Sequence, residues 1–188
     1  MGHSRAARAP RPLDEEKLNE LALRYVGRFA TTRAKLRSYL QRKVRERGWD
    51  GEAAPDLEAT VRTFAERGYV DDAGYALSKS RALTARGYGK RRVVEALRVA
   101  GVDESDGEAA RELADSDAIA AALRFAQKRR LGPFAERALD DPRQREKAIA
   151  AMVRAGHGFG LARAIAEMRP AEAADGQEIE ERLRLVLP

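Results

Sequence analysis

The sequence predicts an all-α protein, elongated and assembled from stacked helical units. Three observations lead there. One phrase recurs along the chain: a polar cap, a basic amphipathic helix, then Gly and a hydrophobic residue. It reads TTRAKLRSYLQRKVRERGW from Thr31 to Trp49 and YGKRRVVEALRVAGV from Tyr88 to Val102. A fainter copy, DPRQREKAIAAMVRAGH, runs from Asp141 to His157 and aligns Ile149 with Val94, Met152 with Leu97 and Gly156 with Gly101. The composition is the second observation: apolar residues make up 44%, aromatics only 6% and charged residues 35%, a thin alanine-rich core spread along helices. Third, no alternating pattern is long enough for a strand. Repeated helical units that cannot each bury a core must stack, and a stack presents one long surface.

The opening residues 1–13 are Pro- and Arg-rich and read as a disordered basic tail. Asp14 starts the first helix, to about Arg28, because a carboxylate there accepts orphan backbone N–H groups. Its apolar positions are Leu18, Leu21, Ala22, Tyr25 and Phe29. Thr31 or Thr32 caps the second helix, which buries Leu36, Leu40 and Val44 and ends at Gly48. Pro55-Asp56 opens a third helix with Leu57, Val61 and Phe64, stopped by Gly68. Residues 14–68 thus form one three-helix unit.

A second unit, residues 69–114, begins at Tyr69. Asp71 or Asp72 caps a helix with Tyr75, Ala76, the stem of Lys79 and Leu83 inward. Gly87-Tyr88-Gly89 breaks the chain, the second basic helix follows to Gly101, and Asp106 to Leu113 forms a short, weakly apolar helix. The third unit, residues 115–169, starts at Ser116 or Asp117 with Ile119, Leu123 and Phe125. Asp141-Pro142 marks its next helix by a carboxylate cap followed by Pro at the first helical position. Phe159 to Met168 is the last helix. Residues 170–188 read as a Glu- and Ala-rich tail, with Ile179, Leu183 and Val186 at the spacing of an amphipathic turn or two.

Lys and Arg exceed Asp and Glu by six, unevenly. Nine basic residues face one acidic residue between Arg24 and Arg47, and seven face one between Lys79 and Arg98. The carboxylates gather in the connecting stretches and the tail. A charge run on one helix is ordinarily a solvated face; two runs on equivalent repeat helices point to a shared basic surface for a polyanion or an acidic protein. The absence of cysteine removes zinc fingers, disulfides and a thiol nucleophile. No apolar run approaches a membrane span and no signal-peptide pattern precedes the first helix, so the expected setting is cytoplasmic.

Groups for catalysis are scarce. His3 lies in the tail, and His157, between Gly156 and Gly158, reads as a helix-end residue. Asp71-Asp72 reads as a cap before a Mg²⁺ site. Gly87-Tyr88-Gly89-Lys90 lacks the spacing and preceding strand of a phosphate loop. No cofactor or metal is expected. The basic helices are the candidates: Arg33, Lys35, Arg37, Arg42 and Arg45 on the first, Lys90, Arg91 and Arg92 opening the second, with Arg81 and Arg98 extending the run. Positive charge in a helix's first turn opposes the helix dipole, which suggests that it serves a partner. Tyr39, Trp49, Tyr69, Tyr75 and Tyr88 could stack bases, though their places at unit junctions favour packing.

The order Arg67-Gly68-Tyr69-Val70-Asp71-Asp72, Tyr75-Ala76, Arg81, Gly87, Arg91-Arg92-Val93, Leu97 and Gly101-Val102 resembles the RecX family of bacterial recombination regulators. Thr32, Lys35-Leu36, Leu40 and Gly48-Trp49 match that family's first repeat. The resemblance implies an elongated, curved array of three tandem three-helix repeats without enzymatic activity. It implies binding to RecA, and to the RecA–single-stranded DNA filament in its groove, with inhibition of filament growth and of RecA's strand exchange, ATP turnover and co-protease function in recombination, DNA repair and the SOS response. A monomer is expected. The alternative is direct DNA binding, with Arg91 to Val94 on the recognition helix of a helix-turn-helix; the scarcity of Asn, Gln and Ser beside those arginines argues against base readout. An α-solenoid adaptor for an acidic protein is a third reading.

Overall fold

The computed structural model describes residues 11–170 and 176–186, and among these it is helical with no strand. The helices are α1 (Glu15–Val26), α2 (Arg33–Arg47), α3 (Leu57–Glu66), α4 (Asp72–Thr84), α5 (Lys90–Ala100), α6 (Glu108–Ser116), α7 (Ala118–Arg129), α8 (Pro142–Arg154), α9 (Phe159–Glu167) and α10 (Gly176–Val186). A 3-10 turn at Gly132–Phe134 lies between α7 and α8. The chain divides into two compact units, Met1–Asp72 and Ala73–Pro188.

In the first unit the caps are side-chain oxygens. Asp14 accepts from the Lys17 amide at 2.9 Å, Thr32 from Lys35 at 3.2 Å and Asp56 from Ala59 at 2.9 Å, each satisfying an N–H that the helix leaves unpaired. Glycines end two of these runs with positive φ, Gly48 at 81° and Gly68 at 74°. The core joins Leu18 and Ala22 of α1, Leu36 and Leu40 of α2, and Val61 and Phe64 of α3 with Leu13 and Val70. Leu13 corrects the expected tail of residues 1–13. It is fully buried, and its backbone pairs with the 48–50 segment through Leu13 N to Gly48 O (3.0 Å) and Asp50 N to Leu13 O (2.8 Å). Residues 1–10 of that tail lie outside the described residues.

The second unit has two cores. Ala76, Val93, Leu97, Ala110 and Ala114 bring α4, α5 and α6 together through small side chains, and the buried Ser80 hydroxyl donates to Ala110 O at 2.8 Å. The weakly apolar α6 is thus helical because its alanines let neighbouring helices approach closely. Ala122, Leu123 and Ala126 of α7 pack with Met152 of α8, Ala162 and Ile165 of α9, and Ile179 and Leu183 of α10. The expected tail after Pro170 therefore contributes a packed helix. The expected break between residues 114 and 115 contains no loop. Asp117 N donates to Leu113 O and Asp117 O accepts from Ala121 N, so α6 passes into α7 through one bent residue.

Backbone also meets backbone in this unit. Gly89 N donates to Ala155 O at 3.0 Å and Arg91 N to Gly156 O at 3.1 Å, so the C-terminal carbonyls of α8 cap the start of α5. A Cβ on Gly89 would collide with the Gly156 carbonyl, and one on Gly156 would lie 2.6 Å from Arg92 N. His157 Nε2 stands 3.0 Å from Gly87 O in the same contact. Gly87-Tyr88-Gly89 is thus a docking turn.

Candidate partner-binding surfaces

Helix α2 presents the basic residues of the first unit, and its turns sort them. Leu36 and Leu40 face the core, so residues three and four apart on the far side, Ser38, Gln41, Arg42 and Arg45, face outward. Arg45 makes no ion pair among the described residues. Arg42 reaches Glu46 at 3.6 Å, and Lys43 holds the same carboxylate at 2.6 Å. That hydrogen bond from Lys43 keeps the Glu46 carboxyl below the ordinary carboxylate range. The other candidates turn aside. Arg37 pairs with Glu58 in the first turn of α3. The Arg33 backbone N–H donates to Asp72 Oδ1 at 2.9 Å and its Nε lies 3.4 Å from Oδ2. Lys35 is half-buried. Arg33 and Lys35 therefore do not share the outward face with Arg42 and Arg45. Asp72 is buried, and this carboxylate at the start of α4 also satisfies the start of α2.

Aromatic rings continue that surface. Tyr39 stacks on Tyr25 with centroids 4.2 Å apart and planes 13° from parallel, and Phe29 follows at 5.5 Å from Tyr25. Arg42 and Lys43 approach the Tyr39 ring at 5.6 and 5.9 Å, within cation–π range. Phe29, at the other end, is 57% exposed. The column combines cations with an open ring able to receive a planar group. Of the aromatics expected at junctions, Tyr39 packs and stacks, while Trp49 donates its indole N–H to Ala53 O at 2.7 Å. Tyr25 and Phe29 were legible only as core positions of α1; their alignment with Tyr39 needs the α1–α2 crossing.

In the second unit α5 buries Val93, Leu97 and Ala100 and turns Arg91 and Arg98, two turns apart, to solvent. Arg98 forms a two-point hydrogen bond with Glu95 at 3.0 and 2.8 Å, which raises the guanidinium above its ordinary value and lowers the carboxyl. Lys90 pairs with Asp115 at 3.0 Å. Arg92 lies over Tyr88 at 6.0 Å. Arg91 and Arg81 are exposed and make no ion pair among the described residues. Val94 and Val99 stand exposed beside these cations, at 39% and 70%.

Capping by α8 changes the electrostatics at the start of α5. Lys90, Arg91 and Arg92 do open a helix without an acidic residue or a side-chain cap. The partially negative carbonyl end of α8 lies against them, so it offsets the positive end of the α5 dipole. The same contact uses the amides of Gly89 and Arg91, which are then unavailable to a phosphate. His157 is buried against Phe125, with ring centroids 5.6 Å apart, and burial holds its imidazole below the ordinary value while the contact with Gly87 O opposes that shift.

No protein-family model matches the chain. It is 32% identical over 177 residues to the regulatory protein RecX of Myxococcus xanthus (strain DK1622), across 89% of this chain and 93% of that protein. It is 36% identical over 140 residues to the regulatory protein RecX of Mycobacterium sp. (strain JLS), across 73% of this chain and 68% of the relative. In fold it resembles the crystal structure of RecX from Lactobacillus salivarius, with a TM-score of 0.57 and 17% identity over 80% of this chain and 92% of that one. A crystal structure of regulatory protein RecX gives a TM-score of 0.56 and 19% identity over 81% and 77% of the respective chains.

Proposed function

The chain belongs to the RecX family of regulatory proteins, and from that premise we propose that it is a non-catalytic regulator that docks on the RecA–single-stranded DNA filament and inhibits its growth. The observation that carries the reading is the outward face of α5. There Arg91 has no carboxylate partner among the described residues, Arg92 flanks it, and Val94 and Val99 are exposed. Cations beside exposed valines suit a surface that meets both an anionic strand and a protein. The outward residues of α2 and the aromatic column supply a second such surface on the first unit. Regulation follows from occupancy: the one histidine among the described residues is a buried packing element, and the chain has no thiol.

Direct DNA binding through a helix-turn-helix is the second reading. The exposed Arg91 and Arg92 favour it, while an α5 without Asn, Gln or Ser and with its first amides engaged by α8 disfavours base readout. Binding measured on RecA alone, single-stranded DNA alone and the assembled filament separates the two. The regulator binds the filament most tightly; equal affinity for naked DNA and filament assigns the surface to DNA alone, and no binding to any of the three overturns both readings.

A further inference from the structure

The first unit carries a groove whose chemistry is opposite to that of the basic helices. It opens between α1 and α3, is bordered by the 49–56 segment and encloses about 1060 Å³. Asp14, Glu15, Glu16 and Glu20 line it from α1; Asp50, Glu52 and Asp56 line it from the facing segment. Arg67 is the one cation among the lining residues, in a chain whose net charge is +6. Inside this acidic border lie apolar groups: Leu18 and Phe64 are buried beneath, while Leu23 and Tyr69 remain 52% and 51% exposed.

Four of the carboxylates have local duties. Asp14 and Asp56 cap helices, and Glu15 and Glu16 sit in the first turn of α1, where the dipole favours them. The other three do not. Asp50 and Glu52 make no ion pair among the described residues, and Glu20 meets Arg24 only at 3.5 Å in an exposed pair. Neither capping nor pairing accounts for these three charges converging on two half-exposed apolar side chains.

We propose that this groove docks a basic amphipathic segment of a partner protein, an apolar side chain flanked by Lys or Arg. Its apolar anchor lies against Leu23 and Tyr69, and its cations meet Glu20, Asp50 and Glu52. Recognition is of the segment-in-groove kind, with burial giving affinity and the charged border giving register and selectivity. The seven carboxylates repel a phosphate backbone, so nucleic acid is a poor occupant. The proposal does not rest on the RecA-directed reading of the basic helices and uses different residues.

The test is selection of a displayed library of random peptides, about twelve residues long, on the full-length protein, followed by fluorescence anisotropy of the recovered peptides. The expected peptides place Lys or Arg around Leu, Phe or Trp. Combined Glu20→Lys, Asp50→Lys and Glu52→Lys should weaken their binding about tenfold or more, given roughly half a kcal/mol per exposed charge pair. Leu23→Ser should weaken it severalfold, whereas Arg91→Glu with Arg92→Glu should leave it unchanged. All these side chains are exposed, and unaltered circular dichroism checks each fold. Selection of acidic peptides, failure of the selection to converge, or binding indifferent to both groove variants overturns the proposal. Self-association in sedimentation that the triple reversal abolishes overturns it too, by assigning the groove to a second copy of this chain.

Discussion

At His157 a single proton bears on the second unit. The imidazole is buried, one nitrogen contacts Gly87 O, and Nδ1 has no hydrogen-bond partner among the described residues. Burial disfavours the cation and the contact with Gly87 opposes it only in part, so the folded-state pKa lies below the ordinary value of about 6.5. An unfolded chain therefore takes up a proton that the folded chain resists. Stability from neutral His157 is complete above the unfolded pKa and is lost as pH falls toward the folded one. Thermal melts should show a lower midpoint at about pH 5.5 than at about pH 7.5, and His157→Gln, which keeps a donor for Gly87 O but does not titrate, should flatten that difference. Equal pH dependence in both proteins would place the titration elsewhere. The glycines divide in the same way between backbone and contact. Gly68 has φ 74° and open space where a Cβ would go, so Gly68→Ala should destabilise by about 1 kcal/mol. Gly156 has φ 100°, and a Cβ there would lie 2.6 Å from Arg92 N and 2.9 Å from Gly89 O, so Gly156→Ala should destabilise by about 2–5 kcal/mol in denaturant melts.

Among the helices, those that begin with an oxygen cap and end at glycine were legible: α2 from Thr32 to Gly48, α3 from Asp56 to Gly68, α8 from Asp141 to the 156 turn. Such signals act within four residues, where a sequence displays them directly. Helix α10 was not. Ile179 and Leu183 are two apolar positions in an acidic stretch, and their burial depends on the small Ala122 and Ala126 in the same core. The basic faces were legible as charge, but their partners Glu58, Asp72 and Asp115 belong to distant segments that only the fold brings near. For the same reason the acidic groove was read as separate caps and loops. Helix α5 gives the sharpest test of a face. Arg91→Glu with Arg92→Glu should leave helicity unchanged, weaken filament association and lower the salt slope by about one unit for each phosphate no longer neutralised. Unchanged affinity and slope would remove α5 from the interface.

For the molecule as a whole, the proposed inhibition without chemistry has a definite signature. A titration against RecA's DNA-dependent ATPase should show inhibition that follows filament occupancy, or saturates well below one protein per RecA if a growing end is capped. The protein alone should hydrolyse no nucleotide. Intrinsic turnover in homogeneous protein would overturn the regulator reading, and an ATPase that stays flat across the titration would overturn the RecA assignment. The threefold phrase in the sequence does not mark three separable bodies. The helices fall in the expected order, yet α6 runs into α7 through one residue and the 87–89 turn is hydrogen-bonded to the 155–157 turn. That last contact decides where the protein can be altered by hand. Two turns that meet backbone to backbone have no slack, so an epitope or fluorophore inserted at either would prise apart α5 and α8. The exposed Glu136–Arg137 stretch instead offers room for a label.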